Sequence, residues 1–320
     1  MVERSSPAFR AAETGQAAPL DVAPPRRVFA MSLMVVSSVL ISFGGLIIRN
    51  MEQADTWQIN FYRALALMTA VTLILLFQHG RSTLVSIRKV GRAGLMGGGL
   101  LAVAGIAFLQ ALTHTTVANT LFTLSAIPFI TAALARVFLK ESLQRATLLT
   151  MLLAAVGIFA MVAEGIGLGS GYGNAMALVT AVCFAGFAVI VRHNRHIDML
   201  PTMLVSAAII ALVSVAVRYD DLGITLKDLL LCLLWGGLLS GFANWMFIVA
   251  SRHLVAAEVT LFMLLEFSLG PVWVWLFVGE LPSEWTIFGG LLVIGAVALR
   301  AGIELRGRGR RYRRGRPSPG

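Results

Sequence analysis

The stretch FAMSLMVVSSVLISFGGLII, residues 29–48, decides the fold of this chain, because it carries no charged side chain from end to end. A helix of about 20 mostly apolar residues is needed to cross a bilayer core about 30 Å thick. Only helices and closed barrels satisfy the polar backbone groups in lipid. The stretch therefore predicts a helix that spans a membrane.

Comparable apolar stretches follow along the whole chain, and we predict ten spanning helices. They lie at residues 29–48, 58–77, 93–112, 117–137, 147–163, 174–191, 201–217, 229–250, 257–278 and 285–301. Hydrophobic residues make up 58% of the 320 residues and charged residues only 13%, which excludes a soluble globular protein. The predicted fold class is all-α integral membrane protein, with a disordered tail at residues 1–28 and a basic tail at residues 303–320.

The basic residues are distributed unevenly between the two sides of these helices. With the N-terminus in the cytoplasm, 22 of the 26 lysine and arginine residues lie on the cytoplasmic side. The exceptions on the outer side are Arg49, Arg63, Arg218 and Lys227. Cytoplasmic loops carry such an excess, so we predict a multi-pass protein of the cell's inner (plasma) membrane with both termini cytoplasmic.

The arginine-rich run at residues 306–316 has two interpretations. As an arm for nucleic acid, it would bind phosphate. As a juxtamembrane segment, it would contact anionic lipid. Because the run follows directly on the last span, we favour the lipid interpretation and predict no nucleic-acid partner.

The two halves of the chain resemble each other when one is shifted by 139 residues. The shift places Gly97 on Gly236, Gly98 on Gly237, His114 on His253, Asn119 on Glu258 and Glu141 on Glu280. Each half, residues 29–163 and residues 174–302, then holds five spans. Because five is odd, the second half enters the membrane from the opposite side. Inverted repeats of this kind build many secondary transporters, with the substrate site near the midplane; the alternative is a duplicated scaffold without a transport role.

Ionisable groups inside spans are expensive and are therefore functional hypotheses. Glu266, near the centre of the ninth span, is either a substrate-amine or proton site, or a structural carboxyl bonded to a neighbouring helix. Arg63, in the second span, either binds a substrate carboxylate, snorkels to the surface or pairs with an acid.

Three further residues complete the predicted substrate site. Asn244 and Trp245 offer an amide and an aromatic face toward a cavity, although asparagine also bridges helices. Asn119 and Glu258, at equivalent positions of the two halves, are either gate residues or groups that begin a helix. Proline residues at positions 128 and 271 are predicted to break or kink their helices.

Motifs that would indicate an enzyme or a pump are absent from the sequence. It contains no P-loop, no H-E-x-x-H and no Rossmann fingerprint. Cys183 and Cys232 lie in apolar stretches without the spacing of metal ligands. We therefore predict no enzymatic activity, no cofactor and no metal.

Five short segments resemble a known family. ALTHTTVANTL at residues 111–121, SAIPF at 125–129 and LKESL at 139–143 look like the fourth-span region of EamA-type transporters, in the drug/metabolite transporter superfamily. SRHL at residues 251–254 and PVWVW at 271–275 are similar in the second half. The resemblance implies ten helices and a cavity lined by spans one, three, four, six, eight and nine.

The sequence also departs from the pattern of that family. Phe267 follows Glu266, where the family often has a proline, and Phe43-Gly44-Gly45 replaces its frequent Trp-Gly pair. The resemblance implies no single substrate, since members carry amino acids, nucleosides, S-adenosylmethionine, drugs and other metabolites.

The predicted function is gradient-driven transport of a small metabolite, such as an amino acid, by alternating access between the two repeats. The predicted partners are the substrate and membrane lipids, and the protein is a monomer or a homodimer. A lipid or lipid-carrier flippase is the alternative, which requires a groove open to the bilayer. A membrane-embedded enzyme would need paired carboxylates or a nucleophile with its base, and the sequence offers neither.

Overall fold

The computed structural model describes residues 24–115, 120, 123–162, 171–279 and 284–314, which form a bundle of helices. Asn119, Glu280 and Phe122 lie outside these residues. The helices are α1 (Pro24–Ser42), α2 (Gly44–Arg49), α3 (Thr56–His79), α4 (Thr83–Lys89), α5 (Gly91–His114), α6 (Ile127–Phe138), α7 (Arg145–Val162), α8 (Gly171–His193), α9 (Thr202–Val217), α10 (Leu226–Cys232), α11 (Ser240–Ser251), α12 (Ala256–Val278) and α13 (Glu284–Arg314). A π-helical segment, Leu233–Leu239, joins α10 to α11.

Each predicted apolar stretch overlaps a helix of the structure, but the helices differ in length. Among the described residues, six helical stretches are long and apolar enough to cross a membrane: Arg26–Ile48, Thr56–His79, Gly91–His114, Gly171–His193, Leu226–Ser251 and Ala256–Phe277. Four apolar helices are shorter: Ile127–Phe138, Arg145–Ala160, Thr202–Val217 and Ile287–Arg300. The prediction of an all-helical membrane protein is thereby confirmed, with six helices of full spanning length.

The first and last helices extend into the segments predicted to be tails. Helix α1 begins at Pro24 and so includes the last residues of the segment predicted to be disordered. Helix α13 continues through the basic residues as far as Arg314.

Local side-chain chemistry explains several helix ends. Asp55 begins α3, because its carboxylate accepts hydrogen bonds of 2.8 Å from the backbone N–H groups of Trp57 and Gln58. The Gln58 side chain in turn accepts from the Asp55 backbone N–H, which completes a capping box. Helix α12 ends at Gly279, whose φ of 79° is in the left-handed region that glycine adopts readily.

Two spanning stretches are irregular, and neither irregularity was predicted. The first is interrupted at Phe43, between α1 and α2, and the eighth contains the π segment. The predicted break at Pro128 is confirmed, because α6 begins at Ile127 with the proline in its first turn. At Pro271 the helix is not broken, since α12 runs through that residue without interruption, and a kink there stays a prediction.

Most helix pairs in contact consist of one helix from each half of the chain. Helix α5 packs on α8 and α9, while α1 packs on α11 and α12. Helix α6 packs on α8 and α12, α3 packs on α9 and the π segment, and α7 packs on α13. Each half therefore buries its helices mainly against the other half.

The core is apolar, and so is the outer surface of the bundle. Met34, Phe187 and Phe262 are fully buried in the largest cluster of core side chains. Phe77 and Leu149, by contrast, have exposed fractions of 97% and 66%. Exposed apolar surface on this scale needs a hydrophobic environment around the protein, which a bilayer provides.

Candidate functional site

Arg63, on α3, is held by an aromatic side chain rather than by an acid. Its guanidinium carbon lies 4.5 Å from the centre of the Trp235 ring in the π segment. A cation in this position is attracted by the negative face of the ring. The same indole lies against α2, because a Cβ on Gly44 would come within 2.9 Å of Trp235 Nε1. The stack thus joins α2, α3 and the π segment.

The close approach of α3 to the π segment depends on a glycine, Gly236, which has no side chain. A Cβ on Gly236 would lie 2.3 Å from the backbone oxygen of Arg63 and 2.7 Å from its Cγ. Residues without a side chain allow membrane helices to approach each other this closely. The far end of the arginine reaches α5, where a Cβ on Gly105 would lie 3.9 Å from Nη2.

Glu266, on α12, is half-buried and is the acidic group that interacts electrostatically with Arg63. Within the described part of the chain, no hydrogen bond or ion pair within 4.0 Å joins the two side chains. An arginine and an acidic side chain therefore share the interior of the bundle without an ion pair between them. In such an environment, each charge would gain from a counter-charge placed between them.

The break in the first spanning stretch is fixed from α12. Trp273 lies seven residues after Glu266 and so on the same side of the helix. Its indole stacks on Phe43, with centroids 4.4 Å apart, and its Nε1–H donates a 2.7 Å hydrogen bond to Ser42 Oγ. The residues that flank the break are thereby anchored to the helix that carries Glu266.

The remaining predicted residues lie in different surroundings. Asn244 donates a hydrogen bond of 2.8 Å to the Ser240 carbonyl of its own helix. Trp245 lines a cavity of about 300 Å³ together with His79, Asp198 and Arg252. Arg252 pairs with Asp198 at 3.1 Å, and His79 Nε2 lies 3.7 Å from the same carboxylate. The structure thus places Trp245 at a cavity where α3 and α11 end, which neither Arg63 nor Glu266 lines.

Sequence reasoning missed two residues near Arg63. Trp235 was not considered, although its place beside Gly236 in an apolar stretch was a signal. Asn60, one turn before Arg63, is fully buried. Neither polar atom of its side chain has a hydrogen-bond partner among the described residues. An amide of this kind usually marks an ordered water or a ligand.

Glu258 lies at the centre of a buried charged cluster, which consists of Arg27, Thr147, Glu258 and Arg300. Arg27 Nη2 lies 2.6 and 2.7 Å from the two carboxylate oxygens, and Thr147 Oγ1 donates over 3.3 Å. Arg300 also contacts the carboxylate through Nη2. The exposed fractions of the Glu258 and Arg300 side chains are 0% and 1%, and that of Arg27 is 20%. We call this end of the bundle the basic end.

A second ion pair flanks this cluster. Arg192 of α8 lies 2.8 Å from Glu141, which follows α6, and Arg192 also donates to the Ser251 carbonyl. The other Glu141 oxygen accepts from the backbone N–H of Ala256 over 3.4 Å. Both pairs therefore meet at the start of α12.

At the opposite end, one carboxylate organises the connection between α2 and α3. Asp228 is fully buried and accepts hydrogen bonds of 3.0–3.1 Å from the backbone N–H groups of Glu52, Gln53 and Ala54. Asp55 and Arg218 pair nearby at 2.5 Å. Contacts to residues 218–228 thus hold this connection from the other half of the chain.

Asp55 and His253, outside the spans, have displaced pKa values. Burial alone would raise the pKa of Asp55, but hydrogen bonds from the Gln58 N–H, from Arg218 and from the Trp57 N–H outweigh it and lower the pKa. Burial lowers the pKa of His253, and the positive charges of Arg26, Arg252, Arg192 and Arg195 lower it further. His253 therefore favours its neutral form more than a free histidine does.

Comparison with known proteins finds a similarity over one part of the chain. Residues 28–163 match the model of the EamA-like transporter family. The resemblance predicted from the sequence is confirmed over these residues, and that family is one of the drug/metabolite transporter superfamily. No curated protein sequence matches the chain.

The fold of the chain is shared with a solved structure beyond the matched segment. A chain described only as "Crystal structure of protein" superposes with a TM-score of 0.72 at 17% sequence identity. The superposition covers 88% of this chain and 99% of that one. At this identity the likeness shows the fold alone, and it includes most of the second half.

The side chains of the candidate site can bind a charged solute. No group of three or more His, Cys, Asp or Glu side chains that could hold a metal occurs in the described ranges. Arg63 and Glu266 offer a guanidinium and a carboxyl group. Such groups can attract and orient a solute of complementary charge.

Proposed function

We propose that this EamA-like protein is a secondary transporter for a small zwitterionic metabolite, such as an amino acid. The observation that carries the proposal is the guanidinium of Arg63, which lies over Trp235, in a bundle whose α12 carries the half-buried acidic residue Glu266. An α-carboxylate would bind the guanidinium, which is preorganised over Trp235. An ammonium group would bind the carboxylate of Glu266.

Alternating access between two inverted repeats fits the packing of the helices. When each helical stretch is exchanged for its counterpart five stretches later, the contact of α5 with α8 becomes that of α1 with α11. The contact of α6 with α8 likewise becomes that of α1 with α12. This exchange supports two repeats, at residues 29–163 and 174–302. The four shorter apolar helices then complete a set of ten crossings.

The remaining features of the proposal concern the membrane. The excess of basic residues at the basic end supports a cytoplasmic location for both termini, in the inner (plasma) membrane. The arginine-rich C-terminal segment contacts anionic lipid there. Transport follows gradients, with the protein acting as a monomer or a homodimer and without enzymatic activity.

Flux into proteoliposomes tests the proposal. Wild type, Glu266→Gln and Arg63→Gln are reconstituted and offered radiolabelled amino acids, nucleosides and S-adenosylmethionine, with and without a pH gradient. We expect the wild type to transport a zwitterion and each variant to transport it at least about tenfold more slowly, which corresponds to about 1.4 kcal/mol. Glu284→Gln, which neutralises an exposed carboxylate at the start of α13, is the matched control and should transport normally.

The outcomes separate the parts of the proposal. Equal flux in wild type and Glu266→Gln would leave a transporter whose Glu266 is structural. Flux only of compounds without an amine and a carboxylate would overturn the zwitterionic substrate. If labelled lipid crosses the bilayer while no solute does, the protein is a flippase.

A further inference from the structure

In the Glu258 cluster, two arginines of different exposure share one buried carboxylate, and packing alone does not explain why charged groups lie there. Charges removed from water cost several kcal/mol each, and apolar side chains of the same volume would often be as stable. Here one carboxylate, completely buried, is shared by two arginines. The two arginines differ in exposure and in the half of the chain to which they belong.

Arg300 and Glu258 belong to the same half and bury each other. Arg300 extends from α13 and Glu258 from the first turn of α12, two helices in direct contact. Arg300 would therefore stay with the carboxylate in any motion that moves the second half as a unit. Glu258 need never become an unpaired buried charge.

Arg27 approaches the same carboxylate from α1, which begins the other half. Its side chain is 20% exposed, so it already lies at the edge of the bundle and can be hydrated if it leaves. Its two contacts with Glu258 have the short distances of a charge-assisted pair. This link joins the halves, and it is the one that can open at low cost.

The neighbouring pair repeats the arrangement. Glu141 belongs to the first half, and Arg192 and the Ala256 N–H belong to the second. Both links therefore cross between the halves at the first turn of α12. Behind them lies the apolar contact of α1 with α12, in which Ala30, Met34 and Val259 are buried.

We propose that the Arg27–Glu258 ion pair is the gate at the basic end of the bundle. Opening separates α1 from α12, Arg27 becomes hydrated, and Arg300 keeps the carboxylate of Glu258 paired. The inference rests on the alternating access proposed above. The shift of 139 residues places the uncharged Asn119 at the position equivalent to Glu258, so the first half carries no carboxylate there. Of these two equivalent positions, only the one at the basic end, Glu258, carries a charge.

Thiol accessibility tests the gate without any substrate. The reporter is Val259→Cys, at a position of α12 whose side chain is buried. The full chain also carries Cys183→Ala and Cys232→Ala, which remove the native thiols. A membrane-impermeant maleimide is applied to inside-out vesicles. We expect Arg27→Gln to raise the labelling rate of this cysteine about tenfold. Loss of the ion pair destabilises the closed state by about 1.4 kcal/mol relative to the open state, so the open state is populated about ten times more.

A matched control and a conservative variant complete the design. Arg26→Gln removes the same charge from the exposed neighbouring residue and should leave the labelling rate unchanged. Arg27→Lys keeps the charge but has a shorter side chain without the planar guanidinium, so its rate should lie between the two. This variant provides the test if Arg27→Gln does not fold.

The results distinguish the gate from the proposed transport. Folded Arg27→Gln or Arg27→Lys with the labelling rate of Arg26→Gln would overturn the gate, whatever the flux assay shows. Faster labelling from the opposite face would overturn its placement at the basic end. Failure to detect a transported substrate changes neither outcome, because the labelling assay needs none.

Discussion

Buried polar residues in this protein differ in how completely they are paired. Asp228 has three backbone N–H donors, and Glu258 has two arginines and a threonine. Glu266 interacts with Arg63 only at a distance, and Asn60 lacks a partner among the residues that the structure describes. Fully paired groups stabilise a fold, whereas incompletely paired ones at the centre of a bundle are available to a solute.

His253 gives the stability of the protein a dependence on pH. Because its pKa in the folded state lies below the ordinary value, protonation opposes folding. Its contribution is complete above the unfolded-state pKa of about 6.5 and is lost as the pH falls through the lower, folded-state value. We expect His253→Gln to lose less thermal stability than the wild type between about pH 7.5 and about pH 5.5.

Thermal unfolding in detergent at a series of pH values measures this effect. His193→Gln, which changes an exposed histidine at the end of α8, is the comparison and should follow the wild type. A His253→Gln curve parallel to that of the wild type would show that this histidine does not oppose folding when protonated.

At the scale of elements, the irregular helices lie where the candidate site is built. The π segment carries Trp235 and Gly236, and the break at Phe43 is held by Trp273. π-Helical turns occur frequently at functional sites, because the extra residue per turn re-aims side chains. The π segment therefore positions the aromatic ring that holds Arg63, and the break positions the ring of Phe43 against α12.

Gly236→Ala tests the importance of this element. Its Cβ would meet backbone atoms of Arg63 at 2.3–2.9 Å, which only a shift of α3 or of the π segment can relieve. We expect a loss of stability of about 1–3 kcal/mol and slower transport, since the guanidinium moves with its backbone.

The adjacent glycine supplies the control. A Cβ on Gly237 would lie 3.5 Å from Ala66, an ordinary contact, so Gly237→Ala should fold and transport like the wild type. Thermal unfolding and flux measured on both variants check the prediction. Equal behaviour of the two variants would mean that the close approach at Gly236 is not required.

At the scale of the whole molecule, ionic contacts between the halves lie at both ends of the bundle. Glu258 and Arg192 organise the basic end, while Asp228 and the Asp55–Arg218 pair organise the other. The pairs differ in burial, since Asp55 and Arg218 are about a third exposed and exposed pairs contribute little. Asp228 is fully buried and holds residues 52–54 of the first half, so motion between the halves has an electrostatic cost at both ends of the bundle.

The orientation of the molecule is open to direct measurement. We expect reporter fusions at the N-terminus and after Arg314 to be active only in the cytoplasm. A fusion in the connection between α9 and α10, at Gly223, should be active only outside. Opposite locations for the two termini would require an odd number of crossings and would contradict the ten-helix arrangement.

Much of the fold, but less of the site, could be predicted from the sequence. Apolar length alone located the helices, because the bilayer imposes one requirement on every span. The π segment, the break at Phe43 and the stack of Arg63 on Trp235 depend on contacts between distant helices, which one sequence does not reveal. Likewise, Glu258 was recognised only as the start of a helix or a gate, because its partners Arg27 and Arg300 are distant in sequence.

Helix α13 has a practical consequence for imaging. Its 31 residues rise about 46 Å at 1.5 Å per residue, which exceeds the bilayer core of about 30 Å. A protein of 34.3 kDa enclosed by a detergent micelle gives few features for particle alignment in electron cryomicroscopy. A soluble protein that begins with a helix, fused in register after Arg314, would continue this helix as a rigid rod and provide an external fiducial.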